Sequence, residues 1–152
     1  MKTKDLPRLD DLYKEIILEH YREPHGRIPI EKVDYHAEGF NPICGDEVKL
    51  FLELESNKIK KVHIDGHGCS ISVASGSMLA QILEGKTIAE ASSLSKYFRG
   101  IMHDKTNGKK IDIGDLEALE GVKKFPVRIK CALLPWATLD EALVGHEHVE
   151  IT

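Results

Sequence analysis

The three cysteines of this chain lie where the backbone pattern changes, and two of them lie next to a glycine. Cys44 ends a long stretch rich in proline and glycine, Cys69 follows Gly68 at the start of a helical pattern, and Cys131 lies in the first turns of the last predicted helix. Glycine lets the backbone turn without steric conflict, as a metal site requires. A helix N-terminus also favours the thiolate, the form of cysteine that binds metals and attacks sulfur.

Asp46 offers a fourth donor, two residues after Cys44. Gly45 between them allows both side chains to face one ion. Three thiolates and one carboxylate make four ligands, the number that tetrahedral zinc prefers. The spacing alone leaves alternatives open: buried packing cysteines, His67 as a rival fourth ligand, or a nucleophilic Cys–His pair with His67 or His103.

Length and composition are those of one globular domain. The chain has 152 residues, of which 41% are hydrophobic and 30% are charged, enough for a buried core. We therefore expect a single domain over residues 1–152, with an ordered core at about 9–144. The formal net charge of −4 and the dispersed basic residues argue against a nucleic-acid partner.

The sequence predicts a cytoplasmic protein without a membrane partner. No stretch approaches the roughly 18 apolar residues that a membrane span needs, and residues 1–8 lack the apolar segment of a secretory signal. In the cytoplasm thiols stay reduced. An odd number of cysteines also leaves no complete disulfide framework.

Helical spacing of apolar residues and capping signals predict several helices. Thr87 and Glu90 form a capping-box pattern at the start of one helix, and Pro126 occupies a favoured first position of another. Asn107-Gly108 predicts a turn between them. The predicted helices are 9–22, 70–83, about 88–102, 114–120 and about 126–144.

Alternating apolar and polar residues predict a β-hairpin. The alternation covers residues 48–54, Ser56-Asn57 supplies a tight turn, and 59–66 form the returning strand. Because a two-stranded sheet is marginally stable, we expect a third strand from the segment 23–46. A loop of that length is usually functional or disordered, and its ending at the cysteine motif favours function.

Four segments in register resemble the IscU-like (NifU N-terminal-like) family, and within it the zinc-dependent SufU-type members. The resemblance covers roughly residues 9–144, and its motifs are Leu12–Tyr21 (LYKEIILEHY), Asn41–Asp46 (NPICGD), Gly66–Ser72 (GHGCSIS) and Phe125–Ala132 (FPVRIKCA). The resemblance implies an α+β fold in which a small antiparallel sheet of about three strands packs against several helices. It also implies that Cys44, Asp46, Cys69 and Cys131 hold one zinc ion.

Two features favour the sulfurtransferase branch of that family over its cluster scaffolds. Scaffolds typically carry histidine immediately before the third cysteine, where this chain has Lys130. SufU-type members also carry an added segment between the second and third cysteines, and the long gap between Cys69 and Cys131 fits that form. The branch implies a zinc-dependent acceptor of persulfide sulfur that stimulates a pyridoxal-phosphate-dependent, SufS-like cysteine desulfurase. Downstream iron–sulfur cluster assembly proteins are the further expected partners.

The resemblance also implies a role for each site residue. Cys44 is the expected sulfur acceptor because it lies on the long loop, whereas Cys69 and Cys131 are anchored in helices. Asp46, an oxygen donor, is expected to weaken the hold on zinc or to tune the exchange, and Arg128 to position the partner or the site. Two alternatives remain: a scaffold that builds an iron–sulfur cluster on the same four residues, and a structural zinc domain.

The last helix departs from the family pattern at Pro135, where relatives carry a small or polar residue. Because proline lacks the N–H of a helical hydrogen bond, we expect the helix to kink or restart there. Trp136 is expected in the core. The tail 145–152 shows no pairing pattern.

Overall fold

The computed structural model describes residues 9–105 and 110–151, so the predicted Asn107-Gly108 turn lies outside the described residues. The elements in chain order are α1 (Leu9–Arg22), β1 (Tyr35–Asn41), β2 (Asp46–Glu55), β3 (Lys58–His67), α2 (Ser70–Leu83), α3 (Ile88–Met102), a 3₁₀ helix (Gly114–Lys124), α4 (Pro126–Leu143) and β4 (His148–Glu150). Within the described ranges, no helix combines the length and apolar character needed to cross a bilayer.

The predicted helices are confirmed, with one wrong boundary. The capping box at the start of α3 is present: the Glu90 backbone N–H donates to Thr87 Oγ1 at 3.1 Å, and the Thr87 N–H donates to Glu90 Oε1 at 2.9 Å. The helix predicted at 114–120 is a 3₁₀ helix and runs past Gly121 to Lys124. Gly121 does not adopt the left-handed conformation that ends helices, so the segment continues.

The sheet has four strands in the order β3-β2-β1-β4. The three antiparallel strands are as expected, and the third is β1, which lies inside the segment 23–46. The fourth strand corrects the prediction that the tail has no partner. β4 pairs in parallel with β1, from Glu38 opposite His148 to Phe40 opposite Glu150, so the sheet is mixed. With three residues, β4 is too short to show a strand period.

One face of the sheet is buried beneath α2 and α4. Alternate strand residues point to this face because successive side chains of a strand lie on opposite sides. The buried apolar residues of the inner face are Ala37, Val48, Leu50, Leu52, Ile59, Val62 and Ile64. Asn41 and Asp46, at the β1–β2 end of the sheet, point to the same buried face.

The last helix continues through Pro135, so the predicted restart is wrong. α4 is one helix from Pro126 to Leu143. Proline deprives the carbonyl group four residues earlier of its helical partner. For Pro135 that carbonyl is the one of Cys131. The Ser75 hydroxyl of α2 donates to the neighbouring Ala132 carbonyl at 2.6 Å, which joins α4 to α2 in the turn before the proline.

Replacing Trp136 is expected to destabilise the fold. Trp136 is fully buried, as predicted, and its ring centroid lies 5.4 Å from that of Phe98. Trp136→Ala should lower the free energy of unfolding by about 3–5 kcal/mol because it leaves a large cavity. Denaturant unfolding measures this change, with Val144→Ala, at a 67% exposed position, as the control expected within about 0.5 kcal/mol of wild type. An equal loss in both variants would contradict the core assignment.

Candidate metal centre

The β1–β2 hairpin presents Cys44 at its tip. Asn41 and Asp46 are the last paired residues of the two strands. The intervening loop, 42–45, carries Cys44, which is half-buried. Gly45 has a φ of 70°, a left-handed conformation that glycine adopts without strain and that turns the chain from Cys44 towards Asp46. The Cys-Gly-Asp segment therefore brings a thiol and a carboxylate to one end of the sheet.

Cys69 is the N-cap residue of α2, as its predicted position at a helix start requires. Its backbone N–H donates to Asp46 Oδ1 at 2.9 Å. Gly68, with a φ of 131°, allows this contact: a Cβ at Gly68 would lie 2.2 Å from Asp46 Oδ1. The helix N-terminus therefore holds the Asp46 carboxylate with a main-chain donor, which suits the positive end of a helix dipole.

Cys131 lies on the buried side of α4 and is fully buried. The Asn41 Nδ2 atom lies 3.7 Å from its Sγ. Burial, followed by hydrogen bonding with Asp46, Cys44 and Cys69, raises the pKa of the Cys131 thiol above its ordinary value. In the metal-free protein this thiol is therefore protonated at neutral pH, and a metal ion must displace its proton.

Three of the four predicted ligands come together in space. The donor atoms of Cys44, Asp46 and Cys131 all lie within 4.8 Å of one another. Cys69 is not in this tight group, although its thiol lies close enough to Cys131 to contribute to the raised pKa of that thiol. The sequence-distant residues thus converge at one site, and Cys69 lies at its edge.

The donor set fits a thiophilic metal cation. Asp46 is fully buried, and its carboxylate accepts hydrogen bonds from neutral groups, among them the Asn41 amide and the Cys69 N–H. A buried carboxylate beside cysteines is costly unless a cation compensates it. Thiolate ligands select zinc, copper(I) or iron–sulfur clusters. The residues present therefore suit zinc, as the resemblance implies.

Arg128 lies beside the cysteines on the exposed side of the centre. A hydrogen bond with Cys131, and then electrostatic interaction with Cys69, raise the pKa of Arg128 above its ordinary value. An arginine stays protonated throughout the physiological range in any case. Its guanidinium is thus a permanent positive charge at the entrance to the site, next to the half-buried Cys44.

The rival histidines lie outside the donor group. His67 is largely exposed, and its Nε2 lies 3.9 Å from Asp65 Oδ1. His103 is the C-cap residue of α3. The sequence analysis gave Gly68 only the freedom to turn the backbone, and it gave Asn41 no role. The position of Asn41 in the Asn41–Asp46 motif was the available signal.

Gly68→Ala is expected to disrupt the metal centre. The new Cβ would collide with Asp46 Oδ1, and the φ of Gly68 would strain any other residue. We expect zinc affinity to fall at least about tenfold, as for other changes that displace a ligand's support. Isothermal titration of the metal-free protein measures this, with Gly121→Ala as the control, because a Cβ there meets no atom within 4 Å. Wild-type affinity in Gly68→Ala would contradict the described contact.

Similar proteins agree with this architecture. The chain is 42% identical over 142 residues to the zinc-dependent sulfurtransferase SufU of Bacillus subtilis, covering 91% of this chain and 94% of that protein. It is 36% identical over 138 residues to the iron–sulfur cluster assembly scaffold protein IscU of Streptococcus pyogenes serotype M1, covering 91% and 86%. A crystal structure of a hypothetical protein superposes with a TM-score of 0.80 at 35% identity, covering 90% of this chain and 99% of that one.

The family match covers most of the chain, including all four predicted ligands. The model of the NifU-like N-terminal domain matches residues 12–132. The chain therefore belongs to the NifU-like N-terminal domain family, the IscU-like family that its four motifs resemble.

Proposed function

We propose that this chain is a zinc-dependent sulfurtransferase of iron–sulfur cluster assembly, which accepts persulfide sulfur from a pyridoxal-phosphate-dependent cysteine desulfurase. The observation that carries the proposal is the convergence of Cys44, Asp46 and Cys131 within 4.8 Å, with Cys44 on a hairpin tip. A sulfur acceptor must reach a partner's active site, and the tip of a loop can do so. The likeness to a zinc-dependent sulfurtransferase supports the same reading.

The transfer step follows thiol–disulfide exchange. The Cys44 thiolate attacks the outer sulfur of the desulfurase persulfide, and a new S–S bond forms between Cys44 Sγ and that sulfur. The S–S bond of the desulfurase breaks, and its cysteine leaves as a thiolate with the electron pair. The transferred sulfur keeps its proton, so no external oxidant or reductant is needed.

The chain's own residues prepare this step. Zinc, when bound, would be held by Cys44, Asp46, Cys69 and Cys131 and would keep the thiols in the thiolate form. Arg128 places a positive charge beside the cysteines, which favours the attacking thiolate. Cys69 and Cys131, on α2 and α4, hold the fixed side of the site.

The experiment that tests the proposal measures turnover of a SufS-type cysteine desulfurase, as alanine released from cysteine. Zinc-loaded protein should stimulate turnover, because an efficient acceptor removes the persulfide. Zinc-stripped protein should stimulate it less, because the Cys131 thiol is then protonated and the donors lose their common cation. No stimulation by either form would reject sulfur transfer and favour a structural zinc domain.

A scaffold is the second candidate, favoured by the 36% identity to an IscU scaffold protein. It predicts that zinc-stripped protein, given iron and sulfide anaerobically, forms a stable coloured cluster and passes it to an apo-acceptor. The sulfurtransferase predicts no transferable cluster. Lys130, in place of the scaffold histidine, supports the sulfurtransferase.

A further inference from the structure

We propose that Asn41 is a positioning residue of the metal centre: its buried amide ties Asp46 and Cys131 together and leaves Cys44 as the donor that can move. The contacts of Asn41 with Asp46 and Cys131 concern the metal centre itself. Only the use of a movable Cys44 in sulfur transfer rests on the proposed function. Asn41 belongs to none of the predicted ligands.

The amide group of Asn41 points into the donor group. Asn41 is fully buried at the end of β1, directly opposite Asp46 in the hairpin. Its Nδ2 donates to Asp46 Oδ2 at 3.2 Å and lies 3.7 Å from Cys131 Sγ. An amide NH₂ has two N–H donors, so one group can serve both acceptors.

The orientation of this amide follows from its neighbours. A carboxylate accepts hydrogen bonds and does not donate them, so the amide nitrogen, and not its oxygen, must face Asp46. The Asn41 Oδ1 atom has no hydrogen-bond partner among the described residues. A buried amide oxygen without a partner disfavours asparagine on grounds of stability alone. The contribution of this residue therefore lies in its two N–H donors.

The hydrogen bonds divide the centre into a fixed part and a movable part. Asp46 is held from two sides, by the Asn41 amide on Oδ2 and by the Cys69 N–H on Oδ1. Cys131 is buried within α4 and lies beside the same amide. Cys44, by contrast, is half-buried on the loop 42–45, and a Cβ at the adjacent Gly45 meets no atom within 4 Å. Cys44 is thus the donor that can leave the metal ion while the other donors stay in place.

Asn41→Leu tests the inference because leucine has a similar size and lacks the two donors. Zinc and cobalt(II) affinities of the variant should fall about 10- to 100-fold, the usual effect of losing a group that supports metal ligands. The cobalt(II) absorption spectrum should shift as well, because the thiolate of Cys131 loses a hydrogen bond. The thermal stability of the metal-free variant should fall much less than the metal affinity, because removal of the unpartnered oxygen partly offsets the lost hydrogen bond to Asp46.

A second readout addresses the division directly. In zinc-loaded wild type, a limiting amount of iodoacetamide should label Cys44 first, as mapped by peptide mass spectrometry. In Asn41→Leu, labelling of Cys69 and Cys131 should rise relative to Cys44, because Asp46 and Cys131 have lost the hydrogen bonds from Asn41. Asn41→Ser should give the same change, since its hydroxyl ends one bond short of the amide nitrogen.

Ser95→Ala is the matched control, a buried polar deletion in α3 that should change neither affinity nor labelling order. Wild-type affinity and labelling order in Asn41→Leu would overturn the inference. A loss of affinity accompanied by an equal loss of metal-free stability would also overturn it, since Asn41 would then be structural. None of these measurements involves a desulfurase. If Asn41→Leu changes affinity and labelling as expected but the wild-type protein does not accept sulfur, only the proposed function is rejected.

Discussion

Cys44→Ala is expected to reduce persulfide uptake from a cysteine desulfurase to the background level. Cys44 is the half-buried cysteine on the loop between β1 and β2, whereas Cys131 is fully buried, so the nucleophile that meets the persulfide is lost. Transfer is measured as sulfane sulfur bound to the protein after incubation with desulfurase and cysteine. Circular dichroism should be unchanged, because the loop contributes no residue to the apolar core.

Ile43→Ala is the control for this variant. Ile43 lies on the same loop and is 62% exposed, so its removal alters the surface of the loop and keeps the thiol. At saturating desulfurase, Ile43→Ala should still take up one sulfur. If Cys44→Ala accepted sulfur as wild type does, the acceptor would be another cysteine.

Cys131→Ala is expected to cause the largest loss of metal binding. Structural zinc sites bind with about 10–16 kcal/mol at neutral pH, so one of four ligands corresponds to roughly a hundredfold to a thousandfold in affinity. Cys131 is fully buried within the donor group, and another side chain cannot move in without repacking α4. Competition with a chromophoric zinc chelator measures the loss.

Cys131→Ser provides the comparison, because serine keeps the shape and offers a far weaker zinc ligand. Both variants should lose affinity, and their metal-free forms should unfold within about 1.5 kcal/mol of wild type, since the change of volume is small. Retention of wild-type zinc affinity in Cys131→Ala would remove Cys131 from the centre.

The helices were predictable because their signals are local. The Thr87–Glu90 capping box and Pro126 each fix a helix start through interactions within one turn. β4 was not predictable, because its three residues acquire a partner only when α4 brings the chain back beside β1. α4 likewise continues through Pro135, a residue whose local signal predicts a break. The assignment of residues 1–152 to one domain stays a prediction.

The candidate site likewise has features with a local signal and features that depend on tertiary packing. The donor types could be read from the motifs, since Cys44 and Asp46 are separated by one glycine and one turn can place both. Their convergence with Cys131 depends on the packing of α4 against the sheet, which the sequence pattern does not specify. The role of Asn41 depends on two distances to other side chains and has no signature in spacing. Zinc as the bound ion, and Cys69 as its fourth ligand, stay proposals.

The central claim is that Cys44 receives the sulfur, and one measurement addresses it most directly. Zinc-loaded protein is incubated with a SufS-type desulfurase and limiting cysteine, its free thiols and persulfides are alkylated, and the peptides are mapped by mass spectrometry. The account predicts one additional sulfur atom on the peptide that contains Cys44, and none on those that contain Cys69 or Cys131. Sulfur found on Cys69 or Cys131 with Cys44 unmodified, or on none of the three, would contradict it.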